Sequence, residues 1–333
     1  FKLPDETEEE LERLMASDLL DRKRPVGMHV GTAERIDSAW GRYVAFVKGT
    51  FPAALTLSGL RIVVDAAHGA AYLSAPHVFT ELGAEVHAIG VRPNGRNINA
   101  DCGAVHPEAC AREVRRRKAD LGFALDGDAD RLIVIDDRGR EVNGDAILAL
   151  CATRMLRDGT LRKRTLVTTV MSSLGLERAV AKERGKLVRV DVGDRYVVEE
   201  MRRSGYNFGG EQSGHLVFLD HATTGDGTLA ALQVLAILLR EKRPLSQLAD
   251  EVIDPVPQVL VNVVLPTKRP LDELPETRAS IRAVERTLDG TGRVLVRWSG
   301  TEPKLRILVE GPNSRALERL ARKIADSARA EIG

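Results

Sequence analysis

The 333-residue chain contains 43% hydrophobic and 29% charged residues and has a formal net charge of +1. This is the composition of an ordinary globular protein, and the near-zero charge gives no reason to expect nucleic acid or a membrane as a partner. No apolar run approaches the roughly 20 residues of a membrane-spanning helix. Three irregularly spaced cysteines (Cys102, Cys110 and Cys151) fit neither a disulfide framework nor a zinc site, so we expect a cytoplasmic protein.

The chain begins at Phe1 rather than at Met, and its first fifteen residues are typical of the end of a strand that runs into a helix. A strand with nothing before it is an unusual beginning for a domain, so we expect an N-terminal segment to be missing. Residues 1–35 are therefore predicted to be the remnant of a first α/β domain and a linker.

Strand and helix patterns alternate through residues 36–143, and the same alternation repeats through residues 144–252. Short β-branched runs bounded by glycines indicate buried strands, and the segments between them indicate helices. Such alternation predicts an α/β sheet with helices packed on it, so we expect two consecutive α/β three-layer units. Residues 253–333 differ, because a strand, a helix, a hairpin and a final helix predict a small α+β domain.

Three carboxylates crowd one turn of the first unit, between two apolar runs that look like buried strands: Asp126, Asp128 and Asp130. Adjacent like charges repel and an unpaired buried carboxylate is costly, so folding alone does not explain the triplet. Carboxylates at alternate positions can converge on a hard divalent cation, and Mg²⁺ accepts a few of them while keeping sites for phosphate or water. We therefore predict a Mg²⁺ site, with a polar hairpin turn as the alternative.

The second unit carries a Gly-rich loop in which Glu211, Ser213 and His215 alternate. Alternating side chains on an extended loop point to one side, which suits the recognition of hydroxyl groups and proton transfer. The loop is not a P-loop, because His215 occupies the Lys position and no Ser or Thr follows. A structural turn is an equally good interpretation of this loop alone.

The C-terminal hairpin combines two cations with hydroxyl and backbone donors. Arg297 and Arg306 lie on the two predicted strands, and Ser299, Gly300 and Thr301 belong to the turn between them. Two guanidiniums and a backbone nest are suited to a phosphate dianion. The pattern predicts a phosphate site, with an ordinary hairpin and exposed arginines as the alternative.

Asp194 and Arg195 stand at the start of a predicted helix, and Asp194 is expected to be its N-cap. A cation this close to a helix N-terminus gains nothing from the helix dipole, so Arg195 indicates a ligand phosphate nearby. Together the four stretches predict a site for a phosphorylated polyol and a divalent cation. Phosphoryl transfer is the reaction class that uses these groups.

The order of these motifs resembles the α-D-phosphohexomutase superfamily, with DGDADR, GGEQSGH and RWSGTEPKLRILVEG on three successive units. Stretches at residues 97–108, 170–177, 192–201 and 209–227 are similar to the phosphoglucosamine mutase family, and the resemblance covers essentially the whole chain. It implies units of the phosphohexomutase type. It also implies interconversion of glucosamine 6-phosphate and glucosamine 1-phosphate, in the route to UDP-N-acetylglucosamine and cell-wall precursors.

The resemblance also implies roles for the matching positions. Mg²⁺ would bind at the three aspartates, Arg131 would support the transferring phosphoryl group, and His215 would be the general acid or base. Arg195 completes the expected catalytic set, and Glu211 and Ser213 would hold sugar hydroxyls. The phosphate that does not react would lie at the C-terminal hairpin, on Arg297, Ser299, Gly300, Thr301 and Arg306.

The family transfers a phosphoryl group from a phosphoserine to the sugar, giving a bisphosphate intermediate that reorients. That phosphoserine lies in a Ser-His-Asn-Pro loop, and no Ser-His pair occurs in this chain. We therefore expect the isolated 333-residue chain to lack mutase activity, whereas a parent that carries the loop is active. A homodimer of the intact parent is compatible with the resemblance.

Two other interpretations stay open. The first is a phosphomannomutase or phosphoglucomutase, against which Gln212 and residues 102–108 argue. The second is a non-catalytic remnant that binds sugar phosphate or a partner, which the sequence immediately upstream of Phe1 would test.

Overall fold

The computed structural model describes residues 3–299 and 302–333, without the side chain of Asp5. The chain starts with helix α1 (Asp5–Met15), helix α2 (Leu19–Arg22) and a short 3-10 helix (Gly27–His29). Every residue from 6 to 42 is exposed. This leading segment is therefore helical but lies outside the apolar core.

The first sheet has five strands and follows helix α3 (Ala39–Gly49). Its elements are, in chain order, β1 (Arg61–Asp65), α4 (Ser74–Glu81), β2 (Glu85–Ile89), α5 (Glu108–Arg117), β3 (Leu121–Leu125), β4 (Leu132–Ile135) and β5 (Glu141–Val142). The strand order is β2-β1-β3-β4-β5, with β1 parallel to β2 and β3, and with β4 antiparallel to β3. The last strand of the parallel part, β3, therefore forms an antiparallel hairpin with β4.

Both faces of this sheet are covered, as the alternation of side chains along a strand requires. Ile62 and Val64 of β1 belong to the main apolar cluster, whereas Val63 between them belongs to a smaller cluster against α5. The near-continuous apolar run of β1 is thus explained by burial on two sides.

The second sheet has four strands and repeats this topology. Its elements are α6 (Gly144–Arg157), a 3-10 turn (Arg162–Arg164), β6 (Thr165–Thr169), α7 (Leu174–Lys182), β7 (Lys186–Val190), α8 (Asp194–Ser204), β8 (Phe208–Gly210), β9 (Leu216–Phe218), α9 (Gly227–Glu241) and α10 (Leu245–Val252). The order is β7-β6-β8-β9, again with two parallel pairs and a final antiparallel hairpin. The β3–β4 and β8–β9 hairpins therefore occupy equivalent positions in the two sheets.

One apolar cluster runs through both sheets, from Val44 to Leu248. Helices α6 and α9 pack against strands of both sheets, so they form the layer between them. Burial of this shared layer holds the two sheets in a fixed relative position.

The last part of the chain is a three-stranded antiparallel sheet with two helices. Its elements are β10 (Gln258–Val264), a 3-10 turn (Leu271–Glu273), α11 (Pro275–Leu288), β11 (Arg293–Trp298), β12 (Lys304–Glu310) and α12 (Ser314–Ile332). The order is β10-β12-β11, and the sheet has its own apolar cluster under α11 and α12.

The predicted fold class is confirmed: two α/β units of the same topology precede a small α+β sheet domain. The boundaries after residues 35, 143 and 252 stay predictions. Among the described residues, no helix combines the length and the apolar character that crossing a bilayer requires.

Candidate active site

The aspartate triplet lies in the turn of the β3–β4 hairpin, which we name the 126–131 turn. One carboxylate oxygen from each of Asp126, Asp128 and Asp130 lies within 4.8 Å of the others. Asp128 is exposed, whereas Asp126 is only 15% exposed. The convergence predicted from the alternating spacing is therefore present in the fold.

Arg131 is the cation closest to this turn in sequence. Its backbone N–H donates to Asp126 Oδ1 at 3.1 Å, and its Nε lies 3.7 Å from Asp126 Oδ2 and 3.9 Å from Asp130 Oδ1. Burial raises the pKa of Asp126, and the charges of Asp130 and Asp128 raise it further against the hydrogen bond from Arg131. The half-exposed guanidinium of Arg131 leaves this repulsion incompletely compensated.

The donor set of the 126–131 turn fits a hard divalent cation. Carboxylate oxygens are the ligands that Mg²⁺ prefers, and a few of them leave room for phosphate oxygen or water. A cation among three converging carboxylates would also remove the repulsion that the turn otherwise carries.

Glu211, Ser213 and His215 lie in the turn of the equivalent β8–β9 hairpin, which we name the 211–215 turn. Glu211 Oε1 accepts a hydrogen bond from the backbone N–H of Gly193 at 2.9 Å, and Glu211 Oε2 lies 3.4 Å from Ser213 Oγ. Ser213 is exposed, but His215 is only 2% exposed. The alternation thus brings Glu211 and Ser213 together, while His215 lies deeper in the site.

The buried imidazole of His215 lies between two carboxylates. Its Nδ1 is 3.4 Å from Asp130 Oδ2 of the triplet, and its Nε2 is 3.5 Å from Asp194 Oδ2. Within the described residues, Nε2 is buried without a hydrogen-bond partner. The proton-transfer candidate therefore lies directly beside the proposed metal ligands, as phosphoryl transfer requires.

The prediction that Asp194 caps helix α8 is wrong. The cap position belongs to Gly193, which has φ of 139°, and the helix begins at Asp194. The Asp194 carboxylate, at the first residue of the helix, lies 3.5 Å from His215 Nε2 through its Oδ2. Sequence reasoning missed Asp194 as a site residue because a carboxylate at a helix start is most often a cap.

Backbone hydrogen bonds join the two turns. Arg131 and His215 form an antiparallel β-bridge, and the N–H of Leu132 donates to the carbonyl of Gly214 at 2.9 Å. Gly214 has φ of +95°, and a Cβ there would lie 2.4 Å from the Leu132 carbonyl oxygen. Only glycine permits this approach of the two hairpins.

Arg195 is the second residue of α8 and lines a cavity of about 190 Å³ together with Asp194, Thr223 and Thr224. The predicted position near a helix N-terminus is therefore correct. Its neighbour Asp194 reaches His215, so the start of α8 borders both the cavity and the imidazole.

The arginine pair of the C-terminal hairpin lies on adjacent strands. Arg297 of β11 is the register partner of Arg306 of β12, and the Nε of each is buried without a hydrogen-bond partner among residues 3–299 and 302–333. Burial lowers the pKa of Arg297, and the charge of Arg306 lowers it further, while Asp191 raises it. Ser299 is buried, with its N–H donating to the carbonyl of Lys304 at 2.8 Å.

Gly300 and Thr301, the other predicted phosphate ligands, lie outside the described residues. Within the described part of the chain, no hydrogen bond or ion pair connects the arginine pair with either turn. The structure therefore brings the acidic triplet, His215 and Glu211 into one site and presents the arginine pair on a separate sheet.

Three family models match successive parts of the chain. They are described as phosphoglucomutase/phosphomannomutase alpha/beta/alpha domain II (residues 41–139), alpha/beta/alpha domain III (residues 143–256) and C-terminal domain (residues 260–327). Two of these stretches hold the joined turns, and the third holds the arginine pair.

Solved structures share the fold. A phosphoglucomutase/phosphomannomutase family protein from Burkholderia thailandensis superposes with a TM-score of 0.76 at 24% identity, covering 99% of this chain and 71% of that protein. An N-acetylphosphoglucosamine mutase from Aspergillus fumigatus gives a TM-score of 0.69 at 20% identity, covering 88% of this chain and 65% of that protein.

Curated relatives are much closer in sequence. The phosphoglucosamine mutase of Sorangium cellulosum is 60% identical over 332 residues, which is 100% of this chain and 69% of the relative. That of Myxococcus xanthus is 57% identical over 327 residues, covering 98% of this chain and 71% of the relative. The chain belongs to the phosphoglucosamine mutase family, the phosphohexomutases that interconvert glucosamine 6-phosphate and glucosamine 1-phosphate.

Proposed function

We propose that the joined 126–131 and 211–215 turns form a Mg²⁺-dependent phosphoryl-transfer centre for glucosamine phosphate. The observation that carries this proposal is the position of His215, buried between Asp130 of the triplet and Asp194. Mg²⁺, when bound, would neutralise charge on the transferring phosphoryl group.

In this proposal the chain's own residues divide three tasks. Asp126, Asp128 and Asp130 hold the metal ion, and Arg131 and Arg195 are cations that meet the phosphoryl group. His215 exchanges a proton with the reacting sugar hydroxyl, and its buried position excludes bulk water from that step.

Glu211 and Ser213 are proposed to hold sugar hydroxyls. Glu211 is oriented by the Gly193 N–H on one oxygen, which leaves its other oxygen beside Ser213 Oγ for a substrate hydroxyl. A carboxylate and a hydroxyl side by side can accept from and donate to neighbouring hydroxyls of a ring.

The phosphate that does not react is proposed to bind at Arg297, Ser299, Gly300, Thr301 and Arg306. Two buried Nε donors that have no partner in the described part of the chain support this, because a dianion would satisfy them and cancel the repulsion between the guanidiniums. The Aspergillus fumigatus protein of the same fold was solved with GlcNAc-6P and magnesium.

Titration calorimetry of the 333-residue chain tests the metal assignment without requiring turnover. Asp128→Asn removes an exposed carboxylate of the triplet, so we expect Mg²⁺ binding to be lost while the fold is kept. Asp272→Asn, an exposed aspartate in the C-terminal domain, is the matched control and should bind like the unmodified chain. Equal Mg²⁺ binding by the Asp128→Asn chain would refute the assignment.

The phosphoserine donor, the bisphosphate intermediate, the homodimer and the cytoplasmic location stay predictions of the family resemblance and of the composition.

A further inference from the structure

Residues 225–227 lie between the two halves of the proposed centre. This segment (Gly-Asp-Gly), which we name the 225–227 segment, immediately precedes and begins helix α9. The site residues described above do not include it, although it contacts both turns.

The first contact is with His215. A Cβ built on Gly225 would lie 2.4 Å from His215 Nε2 and 2.9 Å from the Asp130 carbonyl oxygen. The backbone of Gly225 therefore packs against the Nε2 and Cε1 atoms of the imidazole and limits where the ring can lie. Any side chain at this position would displace the ring.

The second contact is with the 126–131 turn. The N–H of Gly227 donates to the carbonyl of Ala129 at 2.8 Å. Ala129 has φ of 65°, a left-handed conformation that is unfavourable for a non-glycine residue. Such a conformation persists only when its surroundings hold it, and the hydrogen bond from Gly227 is one of the contacts that do so.

Asp226, between the two glycines, accepts hydrogen bonds from a residue of helix α3. The Tyr43 hydroxyl of α3 lies 3.0 Å from Asp226 Oδ1 and 2.9 Å from Asp226 Oδ2, so it donates to the carboxylate. Asp226 also caps α9, accepting from the Leu229 N–H at 2.9 Å. Burial raises the pKa of Tyr43, so its hydroxyl remains a donor throughout the neutral range.

We propose that Asp226, held by Tyr43, is a positioning residue that fixes the metal turn and His215 relative to each other through Gly225 and Gly227. This inference rests on the proposed function, because it assigns the 126–131 turn to the metal ion. The tyrosine hydroxyl holds the carboxylate, the carboxylate fixes the segment, and the segment fixes Ala129 and the imidazole.

Tyr43→Phe tests the proposal, because it removes only the hydroxyl. Loss of a group that hydrogen-bonds a metal ligand directly typically weakens metal binding about 10–100-fold. Tyr43 acts on the turn only through Asp226 and Gly227, so we expect calorimetry to show a measurable fall in Mg²⁺ affinity of up to about tenfold. The NMR signal of the His215 ring, identified by its absence in His215→Gln, is expected to shift as well. Tyr206→Phe, at the opposite end of β8 from the 211–215 turn, is the matched control and should change neither readout.

Gly225→Ala is a second variant, which perturbs the His215 ring directly rather than through Asp226. Its added methyl group is expected to shift the His215 signal strongly. The proposal is overturned if Tyr43→Phe keeps both the Mg²⁺ affinity and the His215 signal of the unmodified chain. If the unmodified chain itself binds no Mg²⁺, the metal assignment fails, and the His215 signal alone decides whether the segment positions the ring.

Discussion

Arg297 and Arg306 stand directly opposite each other on neighbouring antiparallel strands, and the buried Nε of each has no hydrogen-bond partner among the residues that the structure describes. Like charges in this register destabilise a sheet. The C-terminal domain therefore carries a repulsion, which the phosphate proposed to bind there would relieve.

Arg306→Leu should separate binding from stability. Without Arg306 the repulsion disappears, so we expect the C-terminal sheet to gain about 0.2–1 kcal/mol in unfolding free energy. Calorimetry with glucosamine 6-phosphate should show weaker binding by the same variant. Arg322→Leu, which removes an exposed arginine of α12, is the control that should leave sugar-phosphate binding unchanged. A destabilised variant with normal binding would contradict this prediction.

Glu310→Gln should destabilise the contact between the C-terminal sheet and the second unit. Glu310 is fully buried, accepts from Arg293 Nε at 2.6 Å, and accepts from the backbone N–H of Leu174 at 3.3 Å. Breaking a buried ion pair leaves an uncompensated charge and costs about 3–5 kcal/mol. Scanning calorimetry should show this loss, whereas Glu318→Gln, in an exposed helical pair, should change stability by less than about 1 kcal/mol.

Two glycine substitutions should change the unfolding free energy in opposite directions. A Cβ on Gly144 would lie 1.9 Å from the Gln212 carbonyl oxygen, so Gly144→Ala must displace the 211–215 turn and should cost about 1–3 kcal/mol. Gly41 is exposed inside α3 with nothing within 4 Å of an added Cβ, so Gly41→Ala should stabilise by about 1 kcal/mol. Urea unfolding measures both, and equal effects would show that the junction at Gly144 is not tight.

The buried carboxylate of Asp65 should make stability depend on pH. It accepts from the N–H groups of Ala67 at 3.0 Å and Gly103 at 2.8 Å, and burial raises its pKa above the ordinary 3.8. The native state then holds the proton more tightly than the unfolded chain. The protonated Asp65 side chain therefore makes its full contribution to the unfolding free energy below pH 3.8. That contribution falls as the pH rises through the raised pKa of the native state, and the unfolding free energy then no longer depends on pH through this group.

The Asp65→Asn side chain has no titrating carboxyl group, so the unfolding free energy of this variant should lack the pH-dependent fall that Asp65 causes. Urea unfolding of both proteins, in a pH series that starts at 3.8 and runs upward to neutrality, gives the difference in unfolding free energy at each pH. We expect the unfolding free energy of the unmodified chain minus that of Asp65→Asn to decrease with rising pH across the acidic part of the series and then to level off. A difference that is the same at every pH would contradict the prediction.

Local patterns were sufficient for the parts of the site that lie close in sequence. The spacing of Asp126, Asp128 and Asp130 predicts their convergence because alternate residues of a tight turn share a side. For the same reason, the alternation in the 211–215 turn predicts that the side chains of Glu211 and Ser213 lie close together. The strand and helix patterns predict the fold class because both sheets are built from short buried strands.

Long-range relations could not be predicted in the same way. Tyr43 and Asp226 are 183 residues apart, and no local pattern connects them. The approach of Asp194 to His215 depends on the packing of α8 against the second sheet, and a cap was the better local explanation. The equivalence of the two hairpins is a property of strand order, which the sequences of the two units do not reveal.

Backbone hydrogen bonds connect the 126–131 and 211–215 turns, which carry the proposed reaction centre. Leu132, the first residue of β4, donates to the carbonyl of Gly214 within the 211–215 turn, and one apolar cluster lies beneath both hairpins. Opening one turn would also break its hydrogen bonds to the other, so we expect the proposed metal ligands and the imidazole to move together. If the proposed centre binds a sugar phosphate, we expect any turning of that molecule to come from the substrate itself or from the C-terminal sheet, whose apolar cluster is separate.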